Sequence, residues 1–85
     1  MSAVTVYTTG RGCPRCVWTM RRLDERGIQY LEIDLSIPTN AAAREYVTED
    51  LGYAEAPVVV VSDQDHWSGF DRDLIDRIAP PQEEA

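Results

Sequence analysis

Lysine is absent from this sequence: all eight basic residues are arginines, a bias with the mark of a GC-rich genome rather than of a mechanism. Histidine occurs once, as His66, and cysteine twice. A structural zinc site normally takes four N or S ligands, so no metal site is expected within this one chain. Long apolar runs are missing too. No stretch approaches the ~20 residues that span a bilayer, and residues 1–10 show neither the basic nor the apolar region of a secretory signal. Positive charge is scarce. Fifteen acidic side chains against eight basic ones leave a formal net charge of −7, which sets the surface against nucleic acid and anionic membranes. Eighty-five residues are enough for one small domain. It is expected over 1–80 as a cytoplasmic monomer, with a tail over 81–85.

What the chain does have is concentrated in Cys13-Pro14-Arg15-Cys16. Both cysteines are here, two residues apart, after an alternating strand (Val4-Thr5-Val6-Tyr7-Thr8) and before a segment with helical spacing. Without a secretory signal such a pair is more often catalytic or metal-binding than structural. A strand leading into a helix that opens on Cys-x-x-Cys is the sequence form of a thioredoxin-like redox site. Residues three apart on a first helical turn share a face, so the two thiols can close and reopen a disulfide with little backbone movement.

Periodicity supplies the remaining elements. A first strand is expected over Ala3–Thr8, then a loop, Thr9-Gly10-Arg11-Gly12, whose glycines let the backbone turn. Pro14 suits the first helical position. Cys16, Val17, Met20 and Leu23 form the inward face of a helix that Gly27 ends. Leu31, Ile33 and Leu35 alternate along a second strand. Thr39 is expected to cap a second helix with Ala43, Tyr46, Val47 and Leu51 as its stripe and Gly52 at its end. The run Val58-Val59-Val60-Val61 reads as a strand buried on both faces. His66 and Trp67 belong to a short fourth strand, and Asp71 caps a last helix carrying Leu74, Ile75 and Ile78. The order β-α-β-α-β-β-α predicts an α/β fold: a four-stranded mixed sheet flanked by three helices.

The cysteines are not equivalent. Cys13 is placed where unpaired N–H groups and the positive end of the helix dipole stabilise a thiolate, with Arg11 and Arg15 at hand. It is the expected nucleophile. Cys16, one turn in and on the apolar face, is the expected resolving thiol. Arg21, Arg22 and Arg26 read as a solvated helix face, and His66 as a strand-edge residue rather than a catalyst. Trp18 lies off the apolar stripe, which leaves both a partner contact and half-buried packing open.

Three segments together, Cys13-Pro14-Arg15-Cys16, Ala56-Pro57-Val58-Val59-Val60 and His66-Trp67-Ser68-Gly69-Phe70, resemble in order and spacing the glutaredoxin-like NrdH redoxins. The likeness runs from about Val4 to Ile78. It implies the thioredoxin/glutaredoxin fold and reduction of protein disulfides with no bound cofactor. It also implies a cis peptide bond before Pro57 facing the cysteines, and pairing of the Ala56 backbone with an extended substrate segment. Trp67, Ser68, Gly69 and Phe70 match the segment that shapes the partner surface in that family, although Trp67 and Phe70 equally suit a core. Two departures stand out. Pro14 replaces the Val or Met of the usual Cys-x-Gln-Cys, and Asp71-Arg72-Asp73 stands where Arg-Pro-Asp is usual.

The resemblance bears on the electron donor as well. Glutaredoxins that use glutathione hold it with an aromatic residue before the second cysteine, a Thr-Val-Pro segment and a Gly-Gly turn followed by Asp. Here those places carry Arg15, Glu55-Ala56-Pro57 and Trp67-Ser68-Gly69, and Glu55 disfavours an anionic ligand. NrdH redoxins draw electrons from NADPH through thioredoxin reductase and pass them to class Ib ribonucleotide reductase, and those are the expected partners. A glutathione-dependent glutaredoxin is the alternative. A metal-carrying or thiol-sensing Cys-x-x-Cys module is the second, disfavoured because Arg11 stands where copper-chaperone domains carry Met.

Overall fold

The computed structural model describes residues 4–10 and 12–78. The expected Ala3 start of the first strand, Arg11 and the tail over 81–85 lie outside the described residues. Four strands, β1 (Val4–Thr8), β2 (Tyr30–Asp34), β3 (Val58–Ser62) and β4 (Asp65–Ser68), form one sheet in the order β2-β1-β3-β4. β1 and β2 run parallel; β1–β3 and β3–β4 are antiparallel. The helices are α1 (Pro14–Glu25), α2 (Ala41–Glu45) and α3 (Arg72–Arg77). This is the expected four-stranded mixed sheet with three helices.

Alternation along the two central strands divides the core. Val4, Val6 and Val59 point to one face, where Leu23 and Ile28 of the first helix region and Ile75 and Ile78 of the last close over them with Trp67. Tyr7 and Val58 point to the other, where Leu35 and Val47 cover them. Burial pushes the Tyr7 phenol above its ordinary pKa, with nearby Tyr46 adding to the effect. The valine run is therefore buried on both faces at its start, Val58 and Val59 being fully inaccessible. Val60 and Val61 are half-buried, where the β3–β4 register slips between Val60 and Ser62.

α1 ends as expected. Gly27 adopts φ +71, its N–H bonds to Asp24 O at 3.0 Å, and Ile28 N–H reaches back to Leu23 O at 2.9 Å. These bonds satisfy the last carbonyls, and Ile28 packs in the same cluster as Leu23. Its inward face differs from the expected one. Cys16, Thr19 and Leu23 are fully buried, while Val17 and Met20 are half-buried at its flank. A polar Thr19 carries no apolar signal, so periodicity passes over it.

Two other expectations are corrected. Thr39 does not cap the second helix. It lies in a 3₁₀ turn, Pro38–Asn40, and the cap position falls to Asn40. Asn40 spends its side-chain amide on Asp34 O at 2.8 Å rather than on the helix. The helix also widens into a π turn over Tyr46–Asp50. There the Thr48 hydroxyl donates to Arg44 O at 3.0 Å, competing with the backbone ladder. Leu31, expected on the apolar side of β2, is 57% exposed. β2 is an edge strand, and only Ile33 and Leu35 reach the α2-side core.

Candidate active site

The site is built where β1 hands over to α1. Cys13 N–H bonds to Gly10 O at 3.2 Å, closing a tight turn. Of the two loop glycines only Gly10 needs to be one: its φ is +91, and a Cβ there would lie 3.3 Å from Asp34 Oδ2. That carboxyl is itself held below the usual carboxylate range by hydrogen bonds from the Ser36 hydroxyl and backbone. Thr8, buried at the end of β1, steadies the turn by accepting from Gly10 N–H at 3.3 Å while donating to Glu32 Oε2 at 2.9 Å. Neither Thr8 nor Glu32 stood out in the sequence, because the strand pattern ranks residues by apolarity and gives no hint of a bond across 24 residues.

Cys13 is the N-cap of α1 and Pro14 its first residue. The Cys13 sulfur accepts a hydrogen bond from Cys16 N–H at 3.2 Å. The two sulfurs are joined as a disulfide, with Cα atoms 5.2 Å apart. Cys16 is fully buried, whereas Cys13 is partly exposed. An incoming sulfur can therefore reach Cys13 alone. When the pair is reduced, a thiolate at Cys13 meets the helix N-terminus and a donor already aimed at it, which favours the charged form.

Facing the pair is the start of β3. The Ala56–Pro57 bond is cis, and Ala56 O lies 4.0 Å from the Cys13 sulfur. Pro57 is buried and Ala56 half-buried. Beside them Arg15 Nη1 approaches Glu55 Oε1 at 3.6 Å, both side chains being more than half exposed. Exposed pairs of this kind contribute little stability, but they share charge. Arg15 is partly neutralised by Glu55, while the helix terminus adds its own positive end at Cys13.

The last expected segment divides in two. Gly69 has φ +86 and donates its N–H to Pro57 O at 2.7 Å. Ser68 lies across from Val58 in the sheet register. These bring the β4 end against the cis-proline. Trp67 points away into the core at 8% exposure, whereas Phe70 is on the surface. Phe70 meets Trp18 edge to face, with ring centroids 6.0 Å apart. That pairing spans the two ends of the chain and had no local signal. His66 sits on the edge strand β4, its Nδ1 hydrogen-bonded to the Tyr53 hydroxyl at 2.8 Å. The structure thus gathers Cys13, Pro14, Arg15, Cys16, Ala56, Pro57, Ser68, Gly69 and Phe70 at one end of the sheet. Among the described residues no group of three or more His, Cys, Asp or Glu is arranged to hold a metal.

Comparison with known proteins agrees with this arrangement. The glutaredoxin family model matches residues 4–67. The glutaredoxin-like protein NrdH of Salmonella typhimurium is 31% identical over 78 residues, covering 92% of this chain and 90% of that protein. The solved Escherichia coli NrdH-redoxin superposes with a TM-score of 0.75 at 32% identity, covering 95% of this chain and all of that one. It is described as a glutaredoxin-like protein with a thioredoxin-like activity profile. A glutaredoxin from Archaeoglobus fulgidus gives a TM-score of 0.72 at 26% identity, over 86% of this chain and 80% of its own. The chain belongs to the glutaredoxin family, with the NrdH redoxins among its relatives, and is a thiol–disulfide oxidoreductase.

Proposed function

We propose that this protein is a cytoplasmic, monomeric reductant of protein disulfides that takes electrons from NADPH through thioredoxin reductase and delivers them to class Ib ribonucleotide reductase. The observation that carries the choice of donor is the Arg15–Glu55 pair, 3.6 Å apart. It puts a carboxylate beside the cysteine loop where a glutathione-using site needs to receive an anion. Glu55 partly cancels Arg15, the cation beside the cysteines among the described residues, and repels the ligand's carboxylates. A protein donor or acceptor has no such requirement, since it can add an extended segment along Ala56 through main-chain hydrogen bonds.

The chemistry follows from the exposure of the two sulfurs. In the reduced protein the Cys13 thiolate attacks one sulfur of the target disulfide. That S–S bond breaks, a Cys13–target bond forms, and one target thiolate leaves. The buried Cys16, deprotonated in turn, attacks the Cys13 sulfur and expels the second target thiolate. The target gains two electrons and picks up two protons; the protein loses two electrons and closes Cys13–Cys16. Thioredoxin reductase returns the pair to the dithiol by the reverse sequence.

The test is a coupled assay. A model disulfide is offered with NADPH and a cognate thioredoxin reductase, or with glutathione and its reductase, and NADPH oxidation is followed at equal protein concentration. Turnover with thioredoxin reductase is expected. Turnover with glutathione alone would instead identify a glutathione-dependent glutaredoxin.

A further inference from the structure

α1 carries an indole that the core does not use. Trp18 is 50% exposed and Phe70 37% exposed, and the two rings stand edge to face. Paired large apolar side chains left in water mark a contact surface. They form one end of a cleft of about 320 Å³ whose other walls are Arg21, Arg22, Glu25 and Arg72.

The charges in that cleft are not balanced. Arg22 is committed: it gives Asp76 two hydrogen bonds, of 2.8 and 2.9 Å, and Glu25 one of 3.2 Å. Among the described residues Arg21 and Arg72 form no ion pair. Arg21 and Arg72, the latter interacting with Asp76 only at longer range, therefore flank two aromatic rings, on a chain whose formal net charge is −7. A locally positive patch on an acidic protein attracts acidic partners, while the rest of the surface repels them. The cleft also lies near the redox site along the helix and the β4–α3 turn. Trp18 is five residues past Cys13, about 7.5 Å along the helix, and Phe70 follows Gly69, which is bonded to Pro57. A chain held covalently at Cys13 passes within reach of it.

We propose that this cleft binds an acidic stretch of the substrate protein, carrying an aromatic or long apolar residue and flanking the cysteine that joins Cys13. The apolar side chain seats against Trp18 and Phe70, and neighbouring carboxylates pair with Arg21 and Arg72. The inference rests on the reading of the protein as a reductant of protein disulfides.

Reduced protein is mixed with two peptides that share one cystine loop. In one the loop is flanked on both sides by Glu-Phe-Asp-Glu, in the other by Gln-Phe-Asn-Gln. Each second-order rate constant is normalised to that for bis(2-hydroxyethyl) disulfide with the same protein variant. The acidic peptide is expected to react about tenfold faster at low salt, an advantage that shrinks at about 0.5 M salt and disappears in the Arg21→Glu, Arg72→Glu double variant. Trp18→Ala slows both peptides relative to the small disulfide. Equal rates for the two peptides, or an advantage that survives the double charge reversal, overturn the proposal while leaving the reductant reading intact. Failure to reduce even the small disulfide overturns that reading and the inference with it. A dimer in sedimentation that Trp18→Ala converts to a monomer overturns the proposal by assigning the cleft to self-contact.

Discussion

The helix makes Cys13 and Cys16 chemically unlike. One caps α1 in partial contact with solvent and receives an N–H; the other is sealed beneath it. Cys16→Ser is therefore expected to accumulate a mixed disulfide through Cys13 when mixed with a target disulfide, and Cys13→Ser to accumulate none. Intact-protein mass spectrometry with peptide mapping distinguishes the two; an adduct on Cys16 would reverse the roles. Asp71 carries two readings, the cap of the last helix and a departure from the family's motif. Standing where the family usually has Arg, it invites the idea that Asp71→Arg would strengthen coupling to a reductase. In the structure its carboxylate accepts Leu74 N–H at 3.0 Å as the cap of α3, and Arg72 already lines the aromatic cleft. Losing such a cap costs about 1 kcal/mol. Asp71→Ala should lower the thermal midpoint by several degrees, and Asp71→Arg should do the same before any effect on coupling is read.

Between elements, the bond that joins α1 to α3 is the Arg22–Asp76 fork, with a further contact from Arg26 Nη1 to Asp76 at 3.9 Å. Hydrogen bonds from Arg22 hold the Asp76 carboxyl below the usual carboxylate range against a smaller opposing effect of desolvation. A folded-state pKa below the unfolded one stabilises the fold above the unfolded value, and that contribution fades as pH falls through the folded one. Asp76→Asn should therefore destabilise at neutral pH and lose its deficit relative to the parent below about pH 4. Urea titrations at several pH values check this, and a deficit constant with pH would show that charge is not the cause. The turn from β4 into α3 depends on Gly69, at φ +86. Gly69→Ala should cost about 1–2 kcal/mol, the penalty of that backbone region for a side chain. The variant should also react more slowly with protein disulfides, since Gly69 holds the Pro57 carbonyl in place.

At the scale of the whole molecule, stability comes from two thin cores on either side of one sheet. Leu23 is fully buried at the centre of the α1–α3 side. Leu23→Ala should cost about 2–5 kcal/mol, a large share of the 5–15 kcal/mol typical of a small domain. Chemical denaturation should show that loss at unchanged slope. The redox site stands at the junction of this core with its neighbour, where α1 begins and β3 begins, so loosening either side should also loosen the contact between Cys13 and Ala56.

The sequence by itself determined the elements whose cause is local. Val4–Thr8 alternates, Pro14 opens a helix behind Cys13, Gly27 closes it, Asp71 caps the last one, and each of these signals acts within a turn or two of chain. The cysteine spacing pointed to reversible thiol chemistry for the same reason. Tertiary structure alone decided what depends on residues far apart: that Trp67 is core while Phe70 reaches Trp18, that Thr8 holds Glu32, that Glu55 shares the charge of Arg15, and that Leu31 stays exposed on an edge strand. Those outcomes are set by which surfaces the fold brings together across 24 to 52 residues of chain, from Thr8–Glu32 to Trp18–Phe70, and a pattern read over one helical turn or one strand does not contain that distance.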